Sequence, residues 1–172
     1  MKKLSKEYPI PSKKSFDDQA SGVLYVIATP IGNFEDISLR ALKLLSLVDI
    51  LLCEDTRKTK RLVLHHNIKQ KNLVSYNDVN ADKKRNYILK QLLLNKKVGL
   101  VSDAGSPLIS DPGYKLVQEC YYNNIKVTHA PGPSAVLNAL ILSGLPSNQF
   151  YFGGFVSSKA TQKEKQFLKT KN

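Results

Sequence analysis

The sequence predicts an α/β protein in which helices cover both faces of a mainly parallel, five-stranded sheet. Short β-prone apolar runs alternate with longer segments whose apolar residues recur at helical spacing. Loops rich in Gly, Pro and Asp follow the predicted strands. Strands that alternate with helices form parallel sheets, which are buried on both faces. In that architecture, ligands bind beyond the carboxyl ends of the strands.

The first strand and helix are predicted where the chain first becomes apolar. Residues 23–28 form a continuous β-prone run that enters a loop at residues 29–33. Residues 38–48 then predict an amphipathic helix with Ser38 or Asp36 as its N-cap. The apolar residues at helical spacing are Leu39, Ala41, Leu42, Leu45 and Val48.

Two further strands and two further helices follow. Residues 49–53 predict a second buried strand, and residues 58–66 predict a basic helix. Residues 73–75 predict a short third strand, and residues 82–94 predict a helix. The side chains expected to face inward from this helix are Tyr87, Ile88, Leu92 and Leu93.

A long loop separates the fourth predicted strand from the next helix. The strand covers residues 98–102, and the loop at residues 103–113 holds two Asp, two Gly, two Pro and two Ser. We expect the helix to begin near Pro112, because proline fits a first helical turn. Its apolar residues are Leu116, Val117 and Cys120.

The last predicted elements follow in the same order. Residues 125–129 predict a strand, and residues 131–134 form a tight loop. Residues 135–143 predict a helix that Gly144 closes. Residues 149–155 alternate enough to predict another strand.

The charge is strongly basic. The 172 residues include 26 Lys or Arg and 14 Asp or Glu, so the formal net charge is +12. One run of cations contains no acidic residue, and a second run consists of Lys83, Lys84 and Arg85. Such runs suit a polyanionic partner, although a solvated lysine-rich face is the alternative. The first run comprises Arg57, Lys58, Lys60, Arg61, Lys69 and Lys71.

Several classes of protein are disfavoured. The longest strongly apolar stretch, residues 42–53, is shorter than the roughly 20 residues of a membrane span. The lysine-rich start lacks the apolar core of a secretory signal, so we expect a cytoplasmic protein. Cys53 and Cys120 lie far apart without a CxxC pattern, so we expect reduced thiols in apolar surroundings and no metal site.

Familiar nucleotide-binding and catalytic motifs are missing from the sequence. No GxGxxG follows the first strand and no GxxxxGK[ST] occurs, which disfavours Rossmann and P-loop chemistry. The three histidines, His65, His66 and His129, form no recognisable triad. We expect them to be structural or at the surface.

The loop at residues 103–113 is the best candidate for a ligand cradle. Gly105 and Gly113 permit close approach of the backbone, and Ser106, Ser110 and free N–H groups can hydrogen-bond a polar ligand. A well-capped turn into the next helix is the alternative. Because they all follow strands, four loops should meet at one rim of the sheet. These are residues 29–33, 54–56, 103–113 and 131–134.

An ordered set of motifs resembles the tetrapyrrole methylase superfamily, and within it the enzymes that methylate small-subunit ribosomal RNA. Any single motif is weak, but the set runs in order through residues 22–156. The motifs are LYVIATPIGNFEDISLRAL at 24–42, EDTR at 54–57, SYN at 75–77, VSDAGSPLISDPGY at 101–114 and PGPSA at 131–135.

The resemblance implies transfer of a methyl group from S-adenosylmethionine to a cytidine ribose 2′-hydroxyl in small-subunit (16S) ribosomal RNA. The net charge of +12 agrees with an RNA substrate. In the superfamily the methyl donor lies in a cleft between two α/β domains. Carried onto this sequence, the implied donor-binding residues are Pro30, Gly105, Ser106, Ile109, Ser134 and Ala135.

The acceptor side of the reaction requires other groups. The methyl of a sulfonium is already activated, so positioning supplies much of the rate. A ribose hydroxyl is a poor nucleophile and gains from a base or a cation. Glu54, Asp55 and Arg57 are the candidate catalytic residues, with a structural ion pair as the alternative. Asp103 and Asp111 could equally cap their own loop.

The sequence predicts three segments. Residues 1–21 form a basic, flexible extension, and residues 22–147 form the N-terminal domain of the superfamily. Residues 148–172 contain the start of a truncated C-terminal domain and a basic tail. If the remainder is missing, Tyr151, Phe152 and Phe155 should expose apolar surface.

Two alternatives to the ribosomal RNA methyltransferase remain open. One is a methylase that acts on a tetrapyrrole or another small molecule, which needs no basic run. The other is an inactive fragment that only binds RNA or a partner subunit, and the shortened second domain favours it. The resemblance also suggests a homodimer.

Overall fold

The computed structural model describes residues 22–69 and 72–170. The predicted extension at residues 1–21, Lys71 of the first basic run and the last two residues lie outside the described residues. The described chain forms two compact units, which divide between Ser134 and Ala135. The domain boundary expected near residue 147 stays a prediction.

The first unit contains one parallel sheet and four helices, which confirms the predicted α/β class. Its strands are β1 (Val23–Ile27), β2 (Ile50–Cys53), β3 (Leu73–Ser75), β4 (Lys97–Val101) and β5 (Lys126–Ala130). Its helices are α1 (Leu39–Leu47), α2 (Thr56–His65), α3 (Ala81–Leu93) and α4 (Tyr114–Tyr122).

The strand order is β3-β2-β4-β1-β5, and every neighbouring pair is parallel. Helices α1 and α2 carry the chain from β1 to β2 and on to β3, towards one edge of the sheet. Helices α3 and α4 carry it in the other direction, to β4 and then to β5. Because parallel crossovers are right-handed, the two directions of travel put the two helix pairs on opposite faces.

The packing of β2 confirms that both faces are covered. Ile50 and Leu52 belong to a core cluster with residues of α3 and α4. The intervening Leu51 and Cys53 belong to a second cluster with residues of α1 and α2. All four side chains are buried, which explains why this strand has a continuous apolar sequence instead of an alternating one.

Two helix starts differ from the prediction. Helix α2 begins at Thr56, two residues early, because the Asp55 carboxylate caps it. Helix α4 begins at Tyr114, and its N-cap is Gly113 with a φ of 131°. Pro112 therefore lies before the helix and not in its first turn. The predicted Ser38 cap of α1 is confirmed, since its Oγ accepts from the Ala41 N–H at 3.1 Å.

The inward faces of two helices also need correction. In α3, Ile88 and Leu92 are fully buried as predicted, but Tyr87 is 49% and Leu93 is 57% exposed. In α1, Leu39 is exposed, and Leu44 is buried in the core. These helices contain more apolar residues than one buried stripe can accommodate.

The second unit contains α5 (Ala135–Leu142) and α6 (Ala160–Thr170). Gly144 follows α5 with a φ of 68°, as expected of a glycine that ends a helix. The strand predicted at residues 149–155 is wrong, because the chain is irregular there and pairs with no strand. Tyr151, Phe152 and Phe155 are exposed as expected, and so is Phe150. Helix α6 was not predicted.

Two expectations from the sequence, that no segment spans a membrane and that the cysteines are reduced thiols, can be compared with the described chain. Within residues 22–69 and 72–170, no helix is long and apolar enough to cross a membrane. Cys53 and Cys120 are both buried free thiols. Burial raises the pKa of Cys120 to about 12, so this thiol stays protonated at neutral pH.

Candidate functional site

The candidate site begins where the loops after β1 and β4 meet. These two strands are neighbours in the sheet, but the helices that follow them lie on opposite faces. Parallel sheets bind their ligands at such a point. The two loops are joined by a short antiparallel bridge. The Thr29 N–H donates to the Gly105 carbonyl at 2.9 Å, and the Gly105 N–H donates to the Thr29 carbonyl at 3.0 Å.

Two buried hydroxyls hold the base of this junction. Thr29 Oγ1 donates to the Ser102 carbonyl at 3.1 Å, and Ser102 Oγ lies 3.2 Å from the Ala104 carbonyl that accepts from it. Thr29 is 2% and Ser102 is 4% exposed. Buried hydroxyls are costly unless they are paired, so these bonds fix the course of both loops.

The loop after β5 completes the junction. The Ala28 N–H donates to the Ala130 carbonyl at 3.1 Å, and Ser106 Oγ donates to the Pro133 carbonyl at 3.3 Å. A Cβ atom on Gly132 would lie 3.0 Å from the Cβ of Ala28. The glycine therefore allows the loop after β5 to approach the end of β1.

The loop at residues 103–113 has an unusual backbone. Leu108 and Ser110 have φ angles of 72° and 63°, which residues other than glycine rarely adopt. Gly113 has a φ of 131°, and a Cβ there would lie 2.7 Å from Leu100 Cδ2. Strained backbone of this kind is concentrated at binding sites, so it favours the cradle over a simple turn.

An acidic side chain ties this loop to the end of β2. Asp103 Oδ1 accepts from the Asp55 N–H at 3.0 Å, and Asp103 Oδ2 pairs with Lys58 Nζ at 2.8 Å. The sequence suggested that Asp103 caps its own loop, but both of these bonds reach the neighbouring loop and helix. Glu54, Asp55 and the start of α2 are therefore fixed relative to the loop after β4.

Asp55 and Arg57 form a local pair. Asp55 Oδ1 accepts from the Arg57 N–H at 2.8 Å as the N-cap of α2. The Arg57 guanidinium also donates to both carboxylate oxygens, at 3.1 and 2.8 Å. These bonds to Arg57 lower the pKa of Asp55 to about 2. A carboxylate with so low a pKa is a poor proton acceptor at neutral pH.

The surroundings of Glu54 shift its pKa in the opposite direction. Burial raises its pKa, and the nearby Asp103 and Asp111 carboxylates raise it further. Burial also raises the pKa of Asp111. A raised pKa makes a carboxylate a better base, so the two adjacent acids of the EDTR motif have environments suited to different roles.

The predicted donor-binding residues are distributed over the three joined loops and the start of α5. Pro30 and Gly105 are buried, Ser106 and Ser134 are partly exposed, and Ile109 is 53% exposed. The sixth residue, Ala135, is the first residue of α5 in the second unit. Their role in binding a methyl donor stays a prediction, as do the catalytic roles of Glu54, Asp55 and Arg57.

Thr29 and Ser102 were not among the site residues predicted from the sequence, and Lys58 was predicted only as part of a basic run. The first two could have been found, because each is a small polar residue directly beyond a buried strand. The partner of Lys58 lies 45 residues away, and only the pairing of β2 with β4 brings the two together. In the described part of the chain, no group of three or more His, Cys, Asp or Glu could hold a metal ion.

The histidines have structural contacts or lie at the surface. His66 Nε2 is 2.9 Å from the Phe34 carbonyl, and the His65 ring stacks edge-on against Phe34 at 5.1 Å. These contacts attach the loop after β1 to the last turn of α2. His129 is exposed, and its carbonyl accepts from Arg40 at 2.9 Å.

Comparison with known proteins identifies the family. Residues 23–171 match the profile of the tetrapyrrole (corrin/porphyrin) methylases. The ribosomal RNA small subunit methyltransferase I of Thermotoga maritima is 51% identical over 78% of this chain and 60% of its own length. That of Rickettsia prowazekii is 47% identical over 87% of this chain and 53% of its own length.

The fold also matches solved structures. The uroporphyrin-III-C-methyltransferase of Thermus thermophilus aligns with a TM-score of 0.56 at 21% identity, covering 74% of this chain and 55% of that one. This chain spans between 47% and 60% of the length of curated relatives that it matches. The resemblance predicted from the motifs is confirmed, and the chain belongs to the tetrapyrrole methylase family.

Proposed function

We propose that this chain takes part in the transfer of a methyl group from S-adenosylmethionine to the 2′-hydroxyl of a cytidine in small-subunit (16S) ribosomal RNA. The observation that carries the proposal is the junction of the loops after β1 and β4, with Glu54 at the end of the adjacent β2. The names of the relatives at 51% and 47% identity support an RNA substrate over a small molecule. The net charge of +12 agrees with such a substrate.

The residues of the junction suit a polar donor molecule. A Cβ atom on Gly105 would lie 3.4 Å from Ile31 Cδ1 and 3.7 Å from the Pro133 carbonyl oxygen. A Cβ would therefore be in ordinary contact with the loops after β1 and β5, and it is the φ of 79° that favours glycine at this position. Backbone groups of residues 105–110 and the Ser106 hydroxyl supply polar contacts, while Pro30 and Ile109 supply apolar ones.

The donor supplies an activated methyl group. The ribose oxygen forms a bond to the methyl carbon while the carbon–sulfur bond breaks, and the electron pair of the broken bond stays on sulfur. The hydroxyl then has to release its proton. We assign acceptance of that proton to Glu54, since its pKa is raised by burial and by neighbouring carboxylates. Asp55 and Arg57 serve instead to hold the start of α2, and Asp103 positions this end of β2.

The proposal is tested by incubating the chain with labelled S-adenosylmethionine and small ribosomal subunits that lack the methyl group. We expect label in the RNA, and we expect the Glu54→Gln variant to slow transfer by about 100-fold or more. Glu119→Gln, in α4 and away from the rim, is the matched control. Equal rates for Glu54→Gln and the unchanged chain would contradict the role of Glu54.

The same assay addresses the alternatives. Transfer to a tetrapyrrole and not to the ribosomal subunit would favour the small-molecule methylase. A folded chain that binds the subunit without transferring label would favour the binding fragment. The cytoplasmic location and the homodimer stay predictions.

A further inference from the structure

We propose that the exposed face of α2 is the surface that binds the phosphate backbone of the RNA, next to the acceptor end of the site. The α2 basic face is defined here by Arg57, Lys58, Lys60 and Arg61. The inference rests on the proposed function and deepens it, because it assigns the substrate to one side of the sheet.

The packing of α2 separates its apolar and basic sides. Thr59, Leu62 and Val63 are buried against the sheet. All four cations are exposed, and the side chains of Arg57 and Lys58 are 88% and 61% accessible. They lie within five consecutive residues, which is about 6 Å of helix axis. The helix therefore concentrates positive charge on its solvent side.

The cations of this face fall into two groups. Arg57 and Lys58 pair with Asp55 and Asp103, and these bonds anchor the first turn of α2 beside Glu54. Lys60 and Arg61, in the next turn, form no ion pair within the described part of the chain. From Thr56 to Lys69 there is no acidic residue to neutralise them. Their charge is thus available to an external anion.

The position of α2 places this positive charge beside the candidate site. The helix starts directly after β2, so its basic face begins at the same rim as Glu54 and runs away from it. An RNA strand whose ribose reaches Glu54 must continue past the rim in some direction. The α2 basic face offers it a row of cations, and phosphates bind such rows strongly.

The second basic run does not compete for this role. Lys84 Nζ donates to the Ser75 carbonyl at 2.6 Å, and Arg85 pairs with Asp82. Lys115 of α4 also reaches the Asp82 carboxylate, at 3.5 Å. Two of the three cations of this run are therefore engaged in the fold, and α3 packs on the opposite face of the sheet from α2.

The test compares two double variants of equal charge. Lys60→Gln with Arg61→Gln neutralises the α2 basic face, and Lys83→Gln with Lys90→Gln removes two exposed cations from α3. Glutamine has nearly the helix propensity of lysine and arginine, so both helices should persist. The affinity of each protein for an unmethylated small-subunit ribosomal RNA transcript is measured over a range of salt concentrations.

We expect the α2 variant to bind more weakly and to lower the slope of log affinity against log salt by about 2, or about 1 per cation. The α3 variant should keep the slope of the unchanged chain. Calorimetric binding of S-adenosylmethionine, unaltered in both variants, verifies that the site has folded.

An α2 variant with an unaltered salt slope would overturn the inference while leaving the proposed function intact, provided that the unchanged chain transfers methyl groups to RNA. A larger loss in the α3 variant would also overturn it, because the RNA would then lie on the other face. If the unchanged chain neither binds nor methylates RNA, the proposed function fails and this inference falls with it.

Discussion

Asp103 connects the two halves of the candidate site through a single carboxylate. One oxygen accepts from the Asp55 backbone and the other pairs with Lys58, so the loop after β4 and the start of α2 are held together. Neither partner is near Asp103 in sequence, since 48 and 45 residues separate them from it. Sequence patterns identify an Asp in a turn-rich loop, but the choice between a local cap and a distant one depends on strand pairing.

The Asp103→Ala variant should lower the rate of methyl transfer, by up to about 100-fold if the end of β2 moves by about 1 Å. Asp103→Asn keeps an acceptor for the Asp55 N–H and should retain more activity. The measurement is kcat and KM for the RNA in both variants, with Glu119→Ala in α4 as the control. A kcat for Asp103→Ala equal to that of the unchanged chain would disprove the positioning role.

The pair of Asp55 and Arg57 predicts a pH dependence of stability. Arg57 lowers the pKa of Asp55 from 3.8 to about 2 in the folded protein. A lowered carboxyl pKa stabilises the folded state fully above the unfolded pKa, and this contribution is lost as the pH falls from about 4 towards 2.

The difference in unfolding free energy between the unchanged chain and Asp55→Asn should therefore shrink as the pH falls through that window. Urea unfolding between pH 2 and pH 7 measures it. A difference that stays constant with pH would mean that Asp55 acts only as an uncharged cap.

Helix α3 shows that the spacing of apolar residues does not determine which face of a helix packs on the sheet. Its sequence contains apolar residues at adjacent positions, so two neighbouring stripes could each have faced the core. Packing on the sheet buries Ile88 and Leu92 and leaves Tyr87 and Leu93 exposed. The existence of the helix was predictable from the sequence, whereas its rotation was decided by the strands and by α4.

Leu92→Ala should destabilise the chain by about 2–5 kcal/mol, since it leaves a cavity in a fully packed core. The matched Leu93→Ala substitution should change the stability by less than about 0.5 kcal/mol, because that side chain is exposed. Chemical denaturation of both variants provides the comparison. Similar losses from the two substitutions would contradict the rotation of α3.

The prediction of a strand at residues 149–155 was wrong for a different reason. Alternating polar and apolar residues indicate a strand only if a partner strand is present, because the edge hydrogen bonds must be formed with a neighbour. In the described second unit, that segment has no strand to pair with. Pattern alone therefore overestimated regular structure outside the sheet.

At the scale of the whole molecule, the first unit carries the entire sheet and all of the proposed site residues except Ala135. Its fold class, its strands and the convergence of four loops on one rim were predictable, because buried parallel strands have distinctive apolar runs. The sheet order was not, since alternation of strands and helices is compatible with several orders. The order matters for function because it puts the loops after β1 and β4 side by side.

The most direct test of the central claim, that the loops after β1 and β4 hold the methyl donor, is a calorimetric titration of the 172-residue chain with S-adenosylmethionine. Ser106→Arg should abolish binding, because a large side chain there would fill the space between these loops and Pro133. Ser46→Arg, in the last turn of α1 near the start of β2 and therefore at the amino-terminal end of the strands, is the matched control.

We expect saturable binding by the unchanged chain and by Ser46→Arg, and none by a folded Ser106→Arg. No binding by the unchanged folded chain, or equal binding by Ser106→Arg, would contradict the claim.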